Sequence, residues 1–133
     1  MIFCEALYDH FESPGTWEAA PDAHEVVQWV SSRYRCAVLS NFDSRLKRIL
    51  EDLDLLAHFE SVFLSCEIGA SKPDPRIFRA AHEGLRVAPA RILHVGDDPE
   101  CDWRGAEEAG FLHFRVGKGG SELSGLIDEL SLA

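Results

Sequence analysis

Three stretches of this chain carry polar residues that could bind a phosphoryl group together with a divalent cation. Ser40 and Asn41 bring a hydroxyl and an amide, Lys72 brings a cation, and Asp97 and Asp102 bring carboxylates. Oxygen ligands of this kind suit Mg²⁺, and a hydroxyl beside a lysine suits a phosphate oxyanion. The residue types therefore indicate phosphoryl chemistry.

Alternating apolar and amphipathic segments would bring these residues to one place. The apolar runs predict strands at 36–40, 61–65, 91–96 and 111–117, and the other segments predict helices at 3–12, 22–32, 43–56, 75–85, 99–110 and 121–131. Such alternation is typical of an α/β domain with a parallel sheet, in which ligands bind beyond the carboxyl ends of the strands. Ser40, Asn41 and Asp97 are therefore predicted to share one edge of the sheet.

The same three stretches resemble motifs of a known family, the haloacid dehalogenase superfamily of phosphatase-like hydrolases. The second motif is similar to "CAVLSNFD" at 36–43, the third to "GASKPDPRIF" at 69–78, and the fourth to "HVGDDPECDWRGAEEAG" at 94–110. The motifs occur in the order of the family, and the resemblance extends over about residues 21–120. It implies a three-layer, doubly wound parallel sheet with a Rossmann-like core.

The resemblance assigns a role to each candidate residue. Ser40 and Asn41 would hold the transferring phosphoryl group, and Lys72 would act in catalysis by neutralising charge on the nucleophile and on that group. Asp97 would be a ligand of Mg²⁺, the implied cofactor, with Asp102 as a supporting carboxylate of the metal site. Metal-dependent phosphatases of the family carry Gly-Asp in the fourth motif, so a phosphatase is favoured over a dehalogenase. The expected substrate is a small phosphorylated metabolite.

Other roles are open for several of these residues. Ser40 by itself could be a strand-end cap, and Lys72 by itself could be a solvated lysine. Asp98 and Asp43 are predicted to be N-caps of the helices that follow them rather than ligands. His94 lies in a predicted strand and is expected to be a core or edge residue.

The family's first motif, an apolar strand that ends in Asp-x-Asp, has no match in this chain. The Asp-x-Asp at 52–54 lies inside a predicted amphipathic helix. Residues 1–20 resemble instead the remnant of a cap helix and its return linker, and residues 21–133 are predicted to form the core. Because the first motif supplies the middle strand of the family's sheet, we expect a sheet that lacks its central strand. Either its two neighbours pair directly or another chain supplies a strand, and a homo-oligomer is favoured.

These features support a hydrolase core of the phosphatase type that keeps the phosphate and Mg²⁺ half of the site. Covalent catalysis by the family's route needs a carboxylate nucleophile, and losing such a group removes nearly all of the acceleration. We therefore expect little or no turnover from this chain alone. The alternative is a non-catalytic module that associates with itself or with a partner. A receiver-like regulatory domain is a weaker hypothesis, because it does not explain "SKPDP" at 71–75.

Length, charge and cysteine content set further limits. The 133 residues suit one domain. The net charge of −10, from 13 Lys and Arg against 23 Asp and Glu, argues against a nucleic-acid partner. No apolar run reaches the length of a membrane span, and the first residues lack the features of a signal peptide, so no membrane partner is expected. Four widely spaced cysteines without zinc spacing favour a reduced, cytoplasmic protein.

Overall fold

The computed structural model of this protein describes residues 2–4, 8–10, 17–19, 22–117 and 119–131. The strands are β1 (Ile2–Cys4), β2 (Tyr8–His10), β3 (Trp17–Ala19), β4 (Cys36–Ser40), β5 (Ser61–Leu64), β6 (Leu93–Gly96) and β7 (Leu112–Arg115). The α-helices are α1 (Ala23–Ser31), α2 (Arg45–Asp52), α3 (Ser65–Ile68), α4 (Pro75–Leu85), α5 (Gly105–Glu108) and α6 (Gly125–Ser131), and a π-helical turn covers Pro99–Arg104. Among the helices of the described residues, none is long and apolar enough to cross a membrane.

Five of the strands form one parallel sheet in the order β5-β4-β1-β6-β7. Counted along the chain, these five strands have the order 3-2-1-4-5 that is typical of doubly wound folds. Ligands of such folds bind beyond the carboxyl ends of the strands, where the strand order reverses. That reversal lies at β1, between β4 and β6. The other two strands, β2 and β3, form a separate antiparallel pair.

Two hydrophobic clusters cover the opposite faces of the parallel sheet. Residues of β4 alternate between them, with Cys36 and Val38 in one cluster and Ala37 and Leu39 in the other. This alternation follows from the two-residue period of a strand. The first cluster contains residues of α1, α2 and α6, and the second contains residues of α4 and α5. Helices on both faces confirm the predicted three-layer α/β fold.

The centre of the sheet differs from the prediction, because β1 occupies the position that was expected to be empty. Its first residue, Ile2, lies opposite Cys36 of β4 and opposite Leu93 of β6. The prediction that the sheet lacks its central strand is therefore wrong. The two consequences drawn from it, that β4 and β6 pair directly or that another chain supplies a strand between them, are also wrong. A three-residue strand is too short to show the alternation by which strands are recognised.

The N-terminal helix predicted at 3–12 is also wrong where the structure describes that range. Both Ile2–Cys4 and Tyr8–His10 are strands, and the other residues of the range lie outside the described residues. Since β1 is part of the core sheet, it does not belong to a cap. The assignment of the rest of residues 1–20 to a cap remnant and its return linker stays a prediction.

Two of the longer predicted helices are divided in the structure. Of the segment predicted at 43–56, only α2 is an α-helix, and it ends shortly before Asp54, which has a left-handed φ of 58°. A 3₁₀ turn at Leu56–His58 follows. The segment at 99–110 consists of the π-helical turn and α5, and it ends at Gly110 with a left-handed φ of 81°. The second division matters for the site, because the π-helical turn carries Asp102.

Candidate functional site

The candidate site lies at the carboxyl edge of the parallel sheet. Ser40 is the last residue of β4 and is buried, and Asn41 follows it. Asp97 follows the last residue of β6. Lys72 reaches this edge from the loop before α4, and Asp102 reaches it from the π-helical turn. The topology therefore gathers all five predicted residues at one edge, and the contacts described below link three of them directly.

Lys72 and Asp102 form a buried ion pair. Nζ of Lys72 is 2.6 Å from Oδ1 of Asp102, and the two residues are 4% and 1% exposed. His94, fully buried on β6, has its Nε2 2.8 Å from the same Oδ1. The backbone N–H of Asp98 donates to Oδ2 at 3.1 Å. Charges this deep in a protein are tolerated only with such partners, so the cluster of Lys72, Asp102 and His94 has a fixed geometry.

The surroundings set the charge of each group in this cluster. Burial by itself would raise the pKa of Asp102, but the His94 hydrogen bond and the Lys72 ammonium outweigh it and hold the pKa well below its usual range. Burial lowers the pKa of His94 by more than the neighbouring carboxylate raises it. The cluster therefore consists of an ammonium, a carboxylate and a neutral imidazole. Because the carboxylate can only accept, Nε2 of His94 carries the hydrogen and donates a hydrogen bond to Oδ1 of Asp102.

The π-helical turn and a glycine allow Asp102 to reach the sheet. The carbonyl oxygen of Asp98 accepts from the N–H groups of Asp102 at 2.9 Å and Trp103 at 3.1 Å, so the turn is wider than an α-helical turn. The Asp98 side chain accepts from two N–H groups of the first turn, which confirms that Asp98 is an N-cap. A Cβ at Gly96 would overlap the Asp102 side chain, so this close approach requires glycine.

The Asn41 side chain holds the loop that carries Lys72. Its Oδ1 accepts from the backbone N–H of Lys72 at 2.7 Å, and its Nδ2 donates to the backbone carbonyl of Lys72 at 3.1 Å. The Sγ of Cys101 lies 3.4 Å from the same carbonyl. Both ends of the Asn41 amide are thus engaged by the protein. The side chain is placed to position Lys72, a role that the resemblance did not assign to it.

Asp97 is the accessible carboxylate of the site. It is exposed, and its pKa is raised, mainly because surrounding atoms displace water and then because of the nearby charge of Asp102. A cation would offset that repulsion. Mg²⁺ commonly binds one or two carboxylates and keeps several waters, and the accessible carboxylate of Asp97 fits that requirement. Both carboxylate oxygens of Asp102 are already hydrogen-bonded within the protein. In the part of the chain that the structure describes, no three His, Cys, Asp or Glu side chains converge to hold a metal.

Sequence reasoning missed His94 as part of the site. It was expected to be a core or edge residue, and it is indeed fully buried, packed edge-on against Phe78 at 5.6 Å between ring centroids. The missing information was its bond to Asp102. The sequence does contain a signal for this bond. The two-residue period of a strand places His94 on the same face of β6 as Gly96, and Asp102 packs against Gly96.

The fold and the buried lysine–aspartate pair agree with a known family of hydrolases. A family model described as "haloacid dehalogenase-like hydrolase" matches residues 2–110. The chain belongs to this haloacid dehalogenase-like hydrolase family. Over 113 residues it is 43% identical to haloacid dehalogenase-like hydrolase domain-containing protein 3 of Mus musculus, covering 84% of this chain and 45% of the mouse protein. The chain thus spans about half the length of the curated relatives it matches.

Two further comparisons concern a phosphatase and the fold. The chain is 43% identical over 84 residues to a phosphoserine phosphatase of Thermus thermophilus, covering 62% of this chain and 34% of that protein. The solved structure of a putative HAD-hydrolase of Bacillus subtilis bound to magnesium superposes with a TM-score of 0.79 at 20% identity, over 85% of this chain and 55% of that one. At this identity the superposition shows the shared fold.

Proposed function

We propose that this chain is a hydrolase core of the phosphatase type that binds a small phosphorylated metabolite and Mg²⁺, with little or no turnover by itself. The cluster of Lys72, Asp102 and His94 carries the proposal. Its ammonium is fixed at the carboxyl edge and is close enough to the exposed Asp97 to offset part of the rise in that residue's pKa. A fixed cation next to an accessible carboxylate can hold a phosphoryl oxyanion beside a metal ion.

Each residue of the site has one proposed role. The Ser40 hydroxyl and the backbone N–H of Asn41 donate to phosphoryl oxygens, and Lys72 neutralises their charge. Asp97 binds Mg²⁺, and Asp102 keeps Lys72 in place. When bound, Mg²⁺ adds positive charge next to the phosphoryl oxygens. The magnesium of the Bacillus subtilis neighbour supports this choice of cation.

Low turnover follows from the residues after the central strand. The residues after β1 in the sequence are Glu5, Ala6 and Leu7, and not an Asp-x-Asp. Phosphoryl transfer through a covalent intermediate needs a carboxylate nucleophile in position to attack. The chain is therefore proposed to bind phosphate more readily than it cleaves a phosphate ester.

Coupled binding of magnesium and phosphate tests the site. Calorimetric titration with MgCl₂, with and without inorganic phosphate, should show that each raises the affinity for the other. Asp97→Asn should abolish this coupling without unfolding the protein, because Asp97 is exposed. Asp128→Asn removes another exposed carboxylate and is the matched control. Equal coupling in all three proteins would show that this edge does not bind the two ligands together.

Hydrolysis of p-nitrophenyl phosphate in the presence of Mg²⁺ tests the proposed inactivity. We expect release of nitrophenol at the rate of buffer alone. Faster release that is lost in Asp97→Asn would contradict the proposal of an inactive chain. Glu5→Gln would then decide whether the carboxylate that follows β1 in the sequence is the nucleophile.

Self-association is a second candidate function, and the edge of the sheet favours it. β7 is an edge strand, and its Leu112 is 59% exposed. An unpaired edge strand with an exposed apolar side chain favours pairing between chains. We propose a homo-oligomer that forms through this edge. Light scattering over a range of concentrations should show mass above 14.8 kDa, reduced by Leu112→Lys; a monomer at every concentration would contradict it.

A cytoplasmic location is proposed from the thiols. Cys36, Cys66 and Cys101 are free in the structure, as expected in a reducing compartment. Cells lysed directly into denaturant with an alkylating reagent, which exposes the buried Cys36, should yield all three residues alkylated as thiols when analysed by mass spectrometry. Oxidised cysteines in the same experiment would argue for a different compartment.

A further inference from the structure

A pocket with four arginines lies at the opposite edge of the sheet from the candidate site. It has a volume of about 410 Å³, and its lining includes Arg33, Tyr34 and Arg35 before β4 and Arg86, Val87 and Arg91 before β6. This is the amino edge of the sheet, whereas the candidate site follows the carboxyl ends of the same two strands. The pocket and the candidate site share no residue.

The pocket concentrates positive charge in an acidic protein. The chain has 13 Lys and Arg against 23 Asp and Glu, yet four of its arginines line this one cavity. Glu60 partly offsets their charge, since its carboxylate lies 2.8 Å from the guanidinium of Arg35. Arg33 and Arg86 add further positive charge at the same cavity, and a bound anion would stabilise this arrangement.

Two of the guanidinium groups are held by their neighbours. Arg33 lies over the Trp29 ring, 4.1 Å from its centroid, and donates to the Trp29 carbonyl at 3.0 Å. Arg35 donates to the Leu85 carbonyl at 3.2 Å as well as to Glu60. These carbonyls belong to the last turns of α1 and α4, so the two arginines also satisfy helix ends. Because they are already ordered, they lose less entropy when a ligand binds.

Helix capping does not explain Arg86. It is the residue after α4 and has a left-handed φ of 58°, a conformation that glycine adopts at the lowest cost. Its side chain is exposed, and among the described residues no carboxylate forms an ion pair with it. Arg86 therefore adds a fourth cation at the pocket, although its left-handed backbone conformation costs free energy that glycine would avoid.

We propose that this pocket is a second ligand site, which binds a small anion with two or more phosphate or carboxylate groups. Guanidinium groups match both kinds of group through paired N–H donors. A cavity of this volume is within the range of small-molecule sites. The inference is independent of the proposed function, because no residue or charge of the carboxyl edge is needed for it.

Nuclear magnetic resonance titration with two probe anions tests the site. Pyrophosphate and citrate, added separately at low ionic strength, should each shift the backbone signals of Arg35 and Val87 to saturation, and NaCl should weaken both. The tighter probe shows whether phosphate or carboxylate is the preferred group. The absence of saturation with either anion overturns the proposal. Shifts confined to Asn41 and Asp98 also overturn it, while supporting the proposed function at the other edge.

Arg86→Gly separates binding from folding. It removes one guanidinium and supplies the residue that best fits the left-handed position, so the unfolding midpoint should stay the same or rise. The affinity for the tighter probe should fall about tenfold, and about a hundredfold when Arg91→Gln is added, as expected for loss of charge-assisted hydrogen bonds. Arg48→Gln, which changes an exposed arginine of α2, is the control. Equal affinity in Arg86→Gly and Arg48→Gln contradicts the assignment.

Discussion

The two ends of the parallel sheet hold their charges in opposite ways. At the carboxyl end, Lys72 and Asp102 are 4% and 1% exposed, and the protein itself supplies their partners. At the amino end, the side chains of Arg35 and Glu60 are 54% and 37% exposed, and four arginines line the pocket. The same Coulomb attraction acts at both ends, but water weakens it far more at the amino end.

This difference shows that burial, more than distance, determines what an ion pair contributes. The Lys72–Asp102 and Arg35–Glu60 pairs have similar separations of 2.6 and 2.8 Å. If one partner of the buried pair is removed, the other cannot be solvated, whereas water replaces a lost partner at the surface. The carboxyl end is therefore suited to hold one fixed arrangement of charges, and the amino end is suited to exchange its counter-ions.

The largest effect is expected for Lys72→Met. This change removes the ammonium and leaves the Asp102 carboxylate buried, so the free energy of unfolding should fall by about 3 to 5 kcal/mol. Guanidinium denaturation followed by circular dichroism measures it. Lys47→Met is the matched control, because Nζ of Lys47 lies 3.5 Å from Glu67 in an exposed pair and should contribute less than about 1 kcal/mol. If the two variants lost similar free energies of unfolding, burial would not determine what an ion pair contributes.

A smaller loss is expected for Gly96→Ala. The new Cβ would overlap the Asp102 side chain and push it away from its partners, which should cost about 2 to 3 kcal/mol. Gly125→Ala is the control, because a Cβ there would meet Ser121 and Phe114 at ordinary distances of 3.5 and 3.6 Å. Denaturation midpoints of the two variants give the comparison. If Gly96→Ala is as stable as Gly125→Ala, the close approach of Asp102 is not required.

The carboxyl edge could be predicted from the sequence in large part because long periodic segments determine it. The strand predicted at 36–40 is β4 with the same bounds, and the parallel order of the sheet places the residues after β4 and β6 at one edge. The Asp-Pro sequence at 98–99 correctly predicted where the helical turn that carries Asp102 begins. The topology of the sheet was enough to predict that the site residues lie at one edge. Their roles as ligands stay predictions.

Short elements and contacts between distant residues could not be predicted. β1 has three residues, too few for a periodic pattern, and its place in the sheet depends on pairing with strands that begin at Cys36 and Leu93. The bonds of Asn41 reach a backbone 31 residues further along the chain. The hydrogen bond of His94 depends on a π-helical turn that no sequence signal marked.

The pH dependence of stability should reveal the neutral His94. Burial lowers its pKa in the folded protein against the pull of Asp102, with Lys72 and His113 lowering it further. In the unfolded chain the pKa is about 6.5, so below this pH the unfolded state binds the proton first. The contribution of His94 is therefore complete above about pH 6.5 and is lost as the pH falls, by about 1.4 kcal/mol per unit.

Denaturation of the wild type and of His94→Gln between pH 7.5 and 5 measures this slope. The glutamine does not titrate, so the slope should flatten in this variant, while His24→Gln, which changes an exposed histidine, is the control. A second decline should occur below about pH 4 in all three proteins, because the pKa of Asp102 is lowered in the folded protein and the unfolded chain therefore binds the proton first as the pH falls. Parallel curves for all three proteins would mean that His94 is charged in the folded state.

The smallest effect is expected at the amino end, for Arg35→Gln. This change removes the pair with Glu60, whose exposed carboxylate water can solvate, and one hydrogen bond to the Leu85 carbonyl. The free energy of unfolding should therefore fall by about 0.5 to 1 kcal/mol, with a similar value for Glu60→Gln and little further loss in the double variant. A loss near that of Lys72→Met would mean that water is excluded from the amino edge as well. The arginines there could then not exchange counter-ions freely, and the contrast between the two ends of the sheet would fail.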